Sequence, residues 1–545
     1  MSDKPKEDIR NSYSGIPLEP FYGPEDINNF ENYSNDINDP GCFPYCRGLY
    51  SSGYRKFIWN QRQLTGFGSA KETNERQKLL LEAGQQGYGG KGAFTICFDG
   101  PTQFGFDSDH PMAKGAVGGC GLAMDSLRDM EALFDGLPVD KISAGFIIEA
   151  SAMAILAMHI VNAENNGISR KKLDGGITNN SMLNSFACKN NVFPPKHLPR
   201  ITGDLIEFCV KEMPQWNSIQ YSGYNFAEIG ASSTQELAFT IATAIGVTEE
   251  LVQRELSVDD FAHRYMFFLR LNSNFFEEIA KMRAGRRLWA RIMKNRFGAQ
   301  DKKSTYMRIL AQTAGSTLTA QEPLNNIVRA SIQALAGVLS GIQSIYITPH
   351  DEALHLPTES SQKLAMKTHK ILQHEFDLTD VADPLGGSFY IEHLTSEIEK
   401  RALEYIEEID GLGGIVKAIE SGFMEREATQ FAFELQKQIE EGKRVIVGVN
   451  RFVEEEQEYN IETYTHNFEI ENRMIERLAE LKGERDNSEV KKRLDAVRKA
   501  AKDETNLMYP IIEAVRNKAT LGEIMGIMKA EFGQAKDIPV LAQNT

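Results

Sequence analysis

Along the chain, short runs rich in β-branched and aromatic residues alternate with longer stretches whose apolar positions return every three or four residues. These are the periods of a buried strand and an amphipathic helix. The strand pattern falls on FTICF (94–98), ISAGFII (142–148), GGIT (175–178), SIQYSG (218–223), RYMFFL (264–269), MRILAQT (307–313), IQSIYI (342–347) and LTDVAD (378–383). Between them lie helical stretches such as SAMAILAMHIVNAENN, TQELAFTIATAIG and NIVRASIQALAGVL. Eight alternations over about 300 residues fit a (β/α)8 TIM barrel, whose usual size is near 250 residues. A doubly wound open sheet is the structural alternative, because periodicity alone does not show closure.

The pattern breaks at both ends. Residues 1–45, with PLEPFYGPEDINN and NDINDPGCFP, follow neither period and predict an extended N-terminal arm. After about residue 410 the spacing is helical, apart from one apolar run, VIVGVNRF at 445–452. The α/β chain therefore divides into an arm (1–45), a barrel (46–410) and a C-terminal helical linker or docking region (411–545).

Charge narrows the partners. Sixty Lys and Arg against 76 Asp and Glu give a formal charge of −16, which disfavours nucleic acid and anionic membrane. An anionic ligand held by a few local cations remains compatible with it. No apolar run approaches 18 residues, and MSDKPKEDIRNSYSG has no apolar core, so neither a membrane span nor a secretory signal is expected. Six cysteines, with only Cys42 and Cys46 closely spaced, predict reduced thiols in the cytoplasm.

Two local signals fail on inspection. GQQGYGGKG (84–92) lacks a P-loop's first glycine, which is Gln85, and its hydroxyl residue, which is Gly92. DSDHP (107–111) groups Asp107, Asp109 and His110, but Asp before Pro more often builds a turn. With no HExxH pair and no nucleophile elbow, no metal site is expected.

RGLYSSGYRKFIWNQRQLTGFGSAKETNER (47–76), FDGPTQFGFDSDHP (98–111), AQTAGSTLTAQEPLNNIVRASIQAL (311–335), QSIYITPHDEALHLPTE (343–359), DPLGGSFYIE (383–392) and VIVGVNRF stand in one order. In that order they closely resemble the methylmalonyl-CoA mutase family. The resemblance implies a (β/α)8 substrate barrel with CoA along its axis and adenosylcobalamin against one mouth. Homolysis of the cobalt–carbon bond then starts a radical rearrangement, while the protein positions, polarises and excludes water. It assigns Tyr50 and Arg62 to substrate and CoA, Arg264 to the pantetheine arm, and Gln312, Gln343 and Ser344 to the barrel interior near substrate. Glu228, Gly315, Glu352 and Ala353 match positions on the cofactor side.

The departures bear on specificity. Leu64 stands where methylmalonyl-CoA mutase has a tyrosine, Lys189 where it has a carboxylate-clamping arginine, and Asn225 where the family histidine meets the thioester carbonyl. Lysine offers a point charge rather than a bidentate fork, and Asn donates a hydrogen bond but is no acid. Gly145, Ile147, Gly176 and Met266 replace channel residues that are often Ser or Thr, and Phe57 replaces an arginine. A branched substrate of the 2-hydroxyisobutyryl-CoA kind, or bulkier, is therefore expected rather than methylmalonyl-CoA. No histidine carries Asp two residues before it, so the cobalt-ligating Asp-x-His-x-x-Gly is absent. This predicts no cobalamin-binding domain here, and a hetero-oligomer with a small cobalamin-binding subunit. The alternative is a non-catalytic relative that binds a CoA ligand or a partner.

Overall fold

The computed structural model describes residues 10–18, 22, 26, 33–82, 84–85, 91–182, 192–454 and 469–535. In the arm, β1 (Arg10–Asn11) and β2 (Pro17–Leu18) form a small antiparallel pair. The other strands are β3 (Asn60–Arg62), β4 (Leu64–Thr65), β5 (Gly92–Cys97), β6 (Ile142–Ile147), β7 (Asp174–Ile177), β8 (Trp216–Asn217), β9 (Gln220–Ser222), β10 (Met266–Leu271), β11 (Ile309–Thr313) and β12 (Ser344–Tyr346). They pair in parallel as two five-stranded sheets, β3-β12-β11-β10-β9 and β4-β5-β6-β7-β8. Only Gln63 separates β3 from β4, and only residues 218–219 separate β8 from β9. Each of these two chain segments thus serves both sheets.

The strand faces divide sharply. Phe94, Ile96, Ala144, Phe146, Phe267 and Leu269 are at most 2% exposed and join the main core under the flanking helices. Their neighbours in sequence point the other way, as a period of two requires. Seven of the apolar runs read from the sequence lie on strands, but LTDVAD does not. It forms turns after the helix Glu359–His374, where Asp383 pairs with Arg47 and Arg283. The remaining strand segment is instead Asn60–Thr65, whose inward side chains include Asn60 and Arg62. An apolar-core pattern could not find it.

The crossover helices are buried to unusual depth. Ala152–Asn165 hides every residue from Ala152 to Ala163, and Ser233–Gln253 opens on a capping box of Ser232 and Gln235. Phe275–Asn295 buries Lys281, Arg283, Arg286 and Arg287, and Arg286 donates to the carbonyls of Tyr45 and Cys46 in the arm-side segment. The helices Asn487–Lys502, Met508–Arg516 and Leu521–Phe532 contribute to the same main core. Asp107 accepts from the Thr520 hydroxyl and the Gly522 amide, so DSDHP builds a turn that receives these C-terminal helices. Among the described residues no helix is long and apolar enough to cross a membrane.

Candidate functional site

Register fixes what lies inside the strands. Phe268 belongs to a small cluster with Tyr224 and Leu310 that is separate from the main core. Paired residues on parallel strands share a face, so Ser222, Phe268, Leu310, Ser344 and Asn60 form one inward row. The next row toward the strand ends holds Arg270, Gln312, Tyr346 and Arg62. On the other sheet, Leu64, Thr95, Gly145, Gly176 and Asn217 form a corresponding row. Asn60, Arg62, Leu64, Gly145, Gly176 and Ile147 keep partial solvent access although helices cover the opposite faces.

At the strand starts lies a cavity of about 600 Å3, lined by Tyr50, Tyr54, Phe57, Asn60 and Gln343 among others, with Lys56 and Lys370. Tyr50 packs its ring against Phe57 at 5.0 Å. Gln343 uses its amide to hold backbone, accepting from Ile309 N and donating to the Gly341 carbonyl. Ser344 accepts from Asn60 at 3.3 Å. Arg264, just before β10, donates to the Pro214 carbonyl.

Arg62 extends into the interior and, among the described residues, makes one hydrogen bond, 3.1 Å to the Thr95 hydroxyl, while its Nε has no partner there. Burial pulls its pKa down, and Asp174 partly restores it. Arg264 is depressed by burial in the same way, again offset by Asp174. Gly145 makes room here, since a Cβ would stand 3.4 Å from Arg62 Nη1. The Ser222 hydroxyl and Gln220 Nε2, both on β9, also lack partners among the described residues.

At the strand ends a second cluster converges on Gly315. A Cβ there would stand 3.3 Å from Glu228 Oε2, 3.3 Å from Glu352 Oε1 and 3.4 Å from Tyr224 Oη. Glu228 accepts from the amide and hydroxyl of Ser316 and lies 3.7 Å from Arg270. Among the described residues no cation pairs with Glu352. Its nearest hydrogen-bond donor is Tyr346 Oη at 3.5 Å. Burial, then the charges of Glu228 and Asp351, push its carboxyl up to about 8. Cys97 is driven up to about 12, by burial and then by Glu352. Ala353 is exposed beside Glu352, and Asn225 is partly exposed on the short helix Tyr224–Glu228. Gln312 donates weakly to Thr348 at 3.4 Å. Lys189 lies outside the described residues, as do residues 86–90 of the glycine-rich loop.

The described residues read from sequence thus separate into a group at the strand starts and a group at the strand ends, with an inward lining between them. Sequence reading missed Thr95, Ser222 and Tyr346, whose signal is register rather than motif, and Tyr224, which enters from the helix Tyr224–Glu228. Ligands of mainly parallel α/β enzymes gather at the carboxyl ends of the strands, where the Gly315 cluster stands.

An inward polar lining that ends in a carboxylate-rich cluster at the strand ends is the layout of an α/β enzyme. Residues 11–534 match the methylmalonyl-CoA mutase family model, and the chain belongs to that family. It is a family of adenosylcobalamin-dependent acyl-CoA mutases, and the chain is a mutase of the isomerase class. The 2-hydroxyisobutanoyl-CoA mutase large subunit of Aquincola tertiaricarbonis is 40% identical over 526 residues, covering 96% of this chain and 92% of that protein. Methylmalonyl-CoA mutase of Rhizobium meliloti is 40% identical over 528 residues, covering 96% and 72%. The human mitochondrial enzyme is 38% identical over 536 residues, covering 98% and 70%.

Proposed function

We propose that the chain is the large, substrate-binding subunit of an adenosylcobalamin-dependent acyl-CoA mutase of the cytoplasm, with its strands closed into a (β/α)8 barrel. Closure is supported by Asn60–Thr65 and Trp216–Ser222, each of which pairs on both sides and so gives eight parallel segments a cyclic order. Acyl-CoA lies along the axis, from the cavity at the strand starts to the Gly315 cluster. The observation that carries this reading is Arg62: a guanidinium on the inward face, largely withdrawn from water, whose one hydrogen bond among the described residues goes to a neutral hydroxyl.

Gly315 fits the cofactor, because a Cβ would fill the cradle between Glu228, Glu352 and Tyr224. Bound adenosylcobalamin supplies the radical chemistry, and Glu228, Gly315, Glu352 and Ala353 would face it. This chain's own groups do the rest. Arg62 and Arg264 orient the thioester arm, Gln312 and Asn225 offer neutral hydrogen bonds, and Tyr224, Phe268 and Leu310 wall the interior against water. Leu64 shapes the acyl pocket, and Lys189 offers a point charge at its far end.

The substrate we assign is a branched acyl-CoA of the 2-hydroxyisobutyryl kind, or bulkier, rather than methylmalonyl-CoA. Leu64 supports this, standing where methylmalonyl-CoA mutase has a tyrosine, and a 2-hydroxyisobutanoyl-CoA mutase large subunit is among the similar proteins. A separate small chain would then bring the cobalamin. To test this, the purified chain is combined with a small cobalamin-binding chain and adenosylcobalamin, and acyl-CoA products are resolved by chromatography. We expect isomerisation of a branched or hydroxylated acyl-CoA, and weak cobalamin binding by the chain alone. Tight, histidine-ligated cobalamin on the isolated chain would refute the two-chain assembly, and efficient methylmalonyl-CoA turnover would refute the substrate.

A further inference from the structure

Three buried carboxyls meet where the C-terminal helices dock. Asp107 lies just past the short helix Gly100–Phe104, and Asp125 and Asp129 stand at the start of the helix Leu127–Leu133; each is at most 6% exposed. Asp125 sits between the other two. Its Oδ1 accepts from the amide of Ser108, next to Asp107, and its own amide donates to Asp129 Oδ2. The Asp125 carbonyl accepts from the Leu521 amide, and Asp107 accepts from Thr520 and Gly522, so the helix Leu521–Phe532 rests directly on the group. The approach is close: a Cβ on Gly522 would stand 2.7 Å from Asp107 Cγ.

The cations that answer these carboxyls come from the helix Glu469–Glu484. Arg477 lies 3.3 Å from Asp129, and Lys482 lies 2.8 Å from Asp109 and 3.6 Å from Asp107. The other charges around the group are engaged. Arg128 pairs with Glu484 and Arg485 with Glu523. Lys529 feels the charge of Asp107 but donates to the Gly105 carbonyl and lies over the Phe106 ring, on which His110 stacks. Among the described residues, three buried carboxyls thus share two cations, and one of these also serves Asp109. Asp125 is the one left over: no cation pairs with it, and its Oδ2 is buried without a partner. A buried carboxyl in that position is more stable neutral than charged. Burial raises all three carboxyls, and Asp125 goes well above the usual range because the charges of Asp129 and Asp107 add to it.

We propose that Asp125 carries the proton that completes the docking of the C-terminal helices, so that residues 469–535 are held by a latch that loosens as pH rises. Undocked, Asp125 meets water and releases the proton; docked, it keeps it. The docked state therefore binds one proton more, and its advantage is full at low pH and lost as pH rises past the raised carboxyl range. For one linked proton the opening constant grows by up to about tenfold per pH unit. The latch also reaches the strand ends, since Leu122, close before Asp125, donates to the Cys97 carbonyl and accepts from the Asp99 amide.

Hydrogen exchange of the full chain, read by mass spectrometry from pH 6 to 8.5 and corrected for the intrinsic pH dependence of exchange, tests this. Protection of peptides from 469–535 should fall across the range, by up to about tenfold per unit, while that of Phe275–Asn295 holds. Asp125→Asn is neutral at every pH, so its protection should stay level. Arg477→Met leaves a second carboxyl without its cation and should steepen the fall. The unaltered chain decides the sign whether or not the variants fold: protection of 469–535 that stays level or rises with pH overturns the latch. So does an equal fall in both regions, which marks global unfolding, or an Asp125→Asn chain that loses protection as the unaltered one does.

Discussion

Charged side chains stand on both sides of the strand layer, and two of them, Lys281 outside and Arg62 inside, have opposite surroundings. Outside it, on the helix Phe275–Asn295, Lys281 lies 2.6 Å from both Glu236 and Glu278 and donates to the Arg270 carbonyl. Arg283 pairs with Asp383 and Glu392, and Arg287 pairs with Glu399 at 2.6 Å. Inside it, among the described residues, Arg62 has a single bond to Thr95, and the hydroxyl of Ser222 and Nε2 of Gln220 have none. Burial alone does not distinguish these groups; the pairing does. Cations matched by carboxylates hold the shell and the arm in place, whereas polar groups left incomplete on an inward face mark where a ligand belongs.

The largest effect should follow from breaking an outer pair. Arg283→Ala leaves Glu392 buried without its cation and Asp383 with Arg47 alone. Removing one partner of a buried pair costs about 3–5 kcal/mol, so urea unfolding should show a loss of that order. Arg62→Met supplies the inner counterpart: unfolding stability should hold or improve, while CoA affinity falls. The contrast fails if Arg62→Met destabilises the fold as much as Arg283→Ala does.

This division also explains how far sequence could carry the structure. Strands whose outward side is apolar, such as Gly92–Cys97 with Phe94 and Ile96, announced themselves by pattern. Asn60–Thr65 did not, because its inward positions carry Asn60 and Arg62 and its outward side holds Gln61 and Gln63. LTDVAD copied a strand's pattern, yet it forms turns in which Asp383 is drawn to Arg47 and Arg283. At the site, motifs led to Arg62, Glu228, Gly315 and Glu352, three of which converge at one mouth. Tyr346 and Ser222 were not singled out, since only the register between distant strands places them beside those residues, and Tyr224 reaches Gly315 from the short helix Tyr224–Glu228.

A middle-sized effect should come from adding bulk to the inner wall. Leu64 pairs in register with Thr95, beside Cys97 and Ile147, and is absent from the packed clusters. A tyrosine there crowds the acyl pocket, and overpacking a fitted site costs about 1–3 kcal/mol. Leu64→Tyr should lower kcat/KM on the branched substrate roughly five- to 150-fold. Its unfolding midpoint should barely move, because the residue faces the ligand space rather than the core. A large stability loss with unchanged substrate preference would place Leu64 on the structural side of the division.

The smallest effect concerns Glu352, which belongs to neither set: it is a carboxyl with no paired cation among the described residues, facing Glu228, Asp351 and the hydroxyls of Tyr346 and Tyr224 around Gly315. Burial and the two neighbouring carboxylates raise it from an ordinary 4.5 to about 8. Between those values the folded chain keeps a proton that the unfolded chain releases. Stability from this group is therefore full below about pH 4.5 and is lost as pH rises through about 8. Glu352→Gln has no proton to lose, so its melting temperature should fall less than that of the unaltered chain between pH 5 and pH 9. Because Glu352 retains some solvent access and the chain is long, the difference should be modest, roughly 1–3 °C. Parallel melting curves for the two proteins across that range would mean that Glu352 ionises normally and that water, not the Gly315 cradle, sets its state.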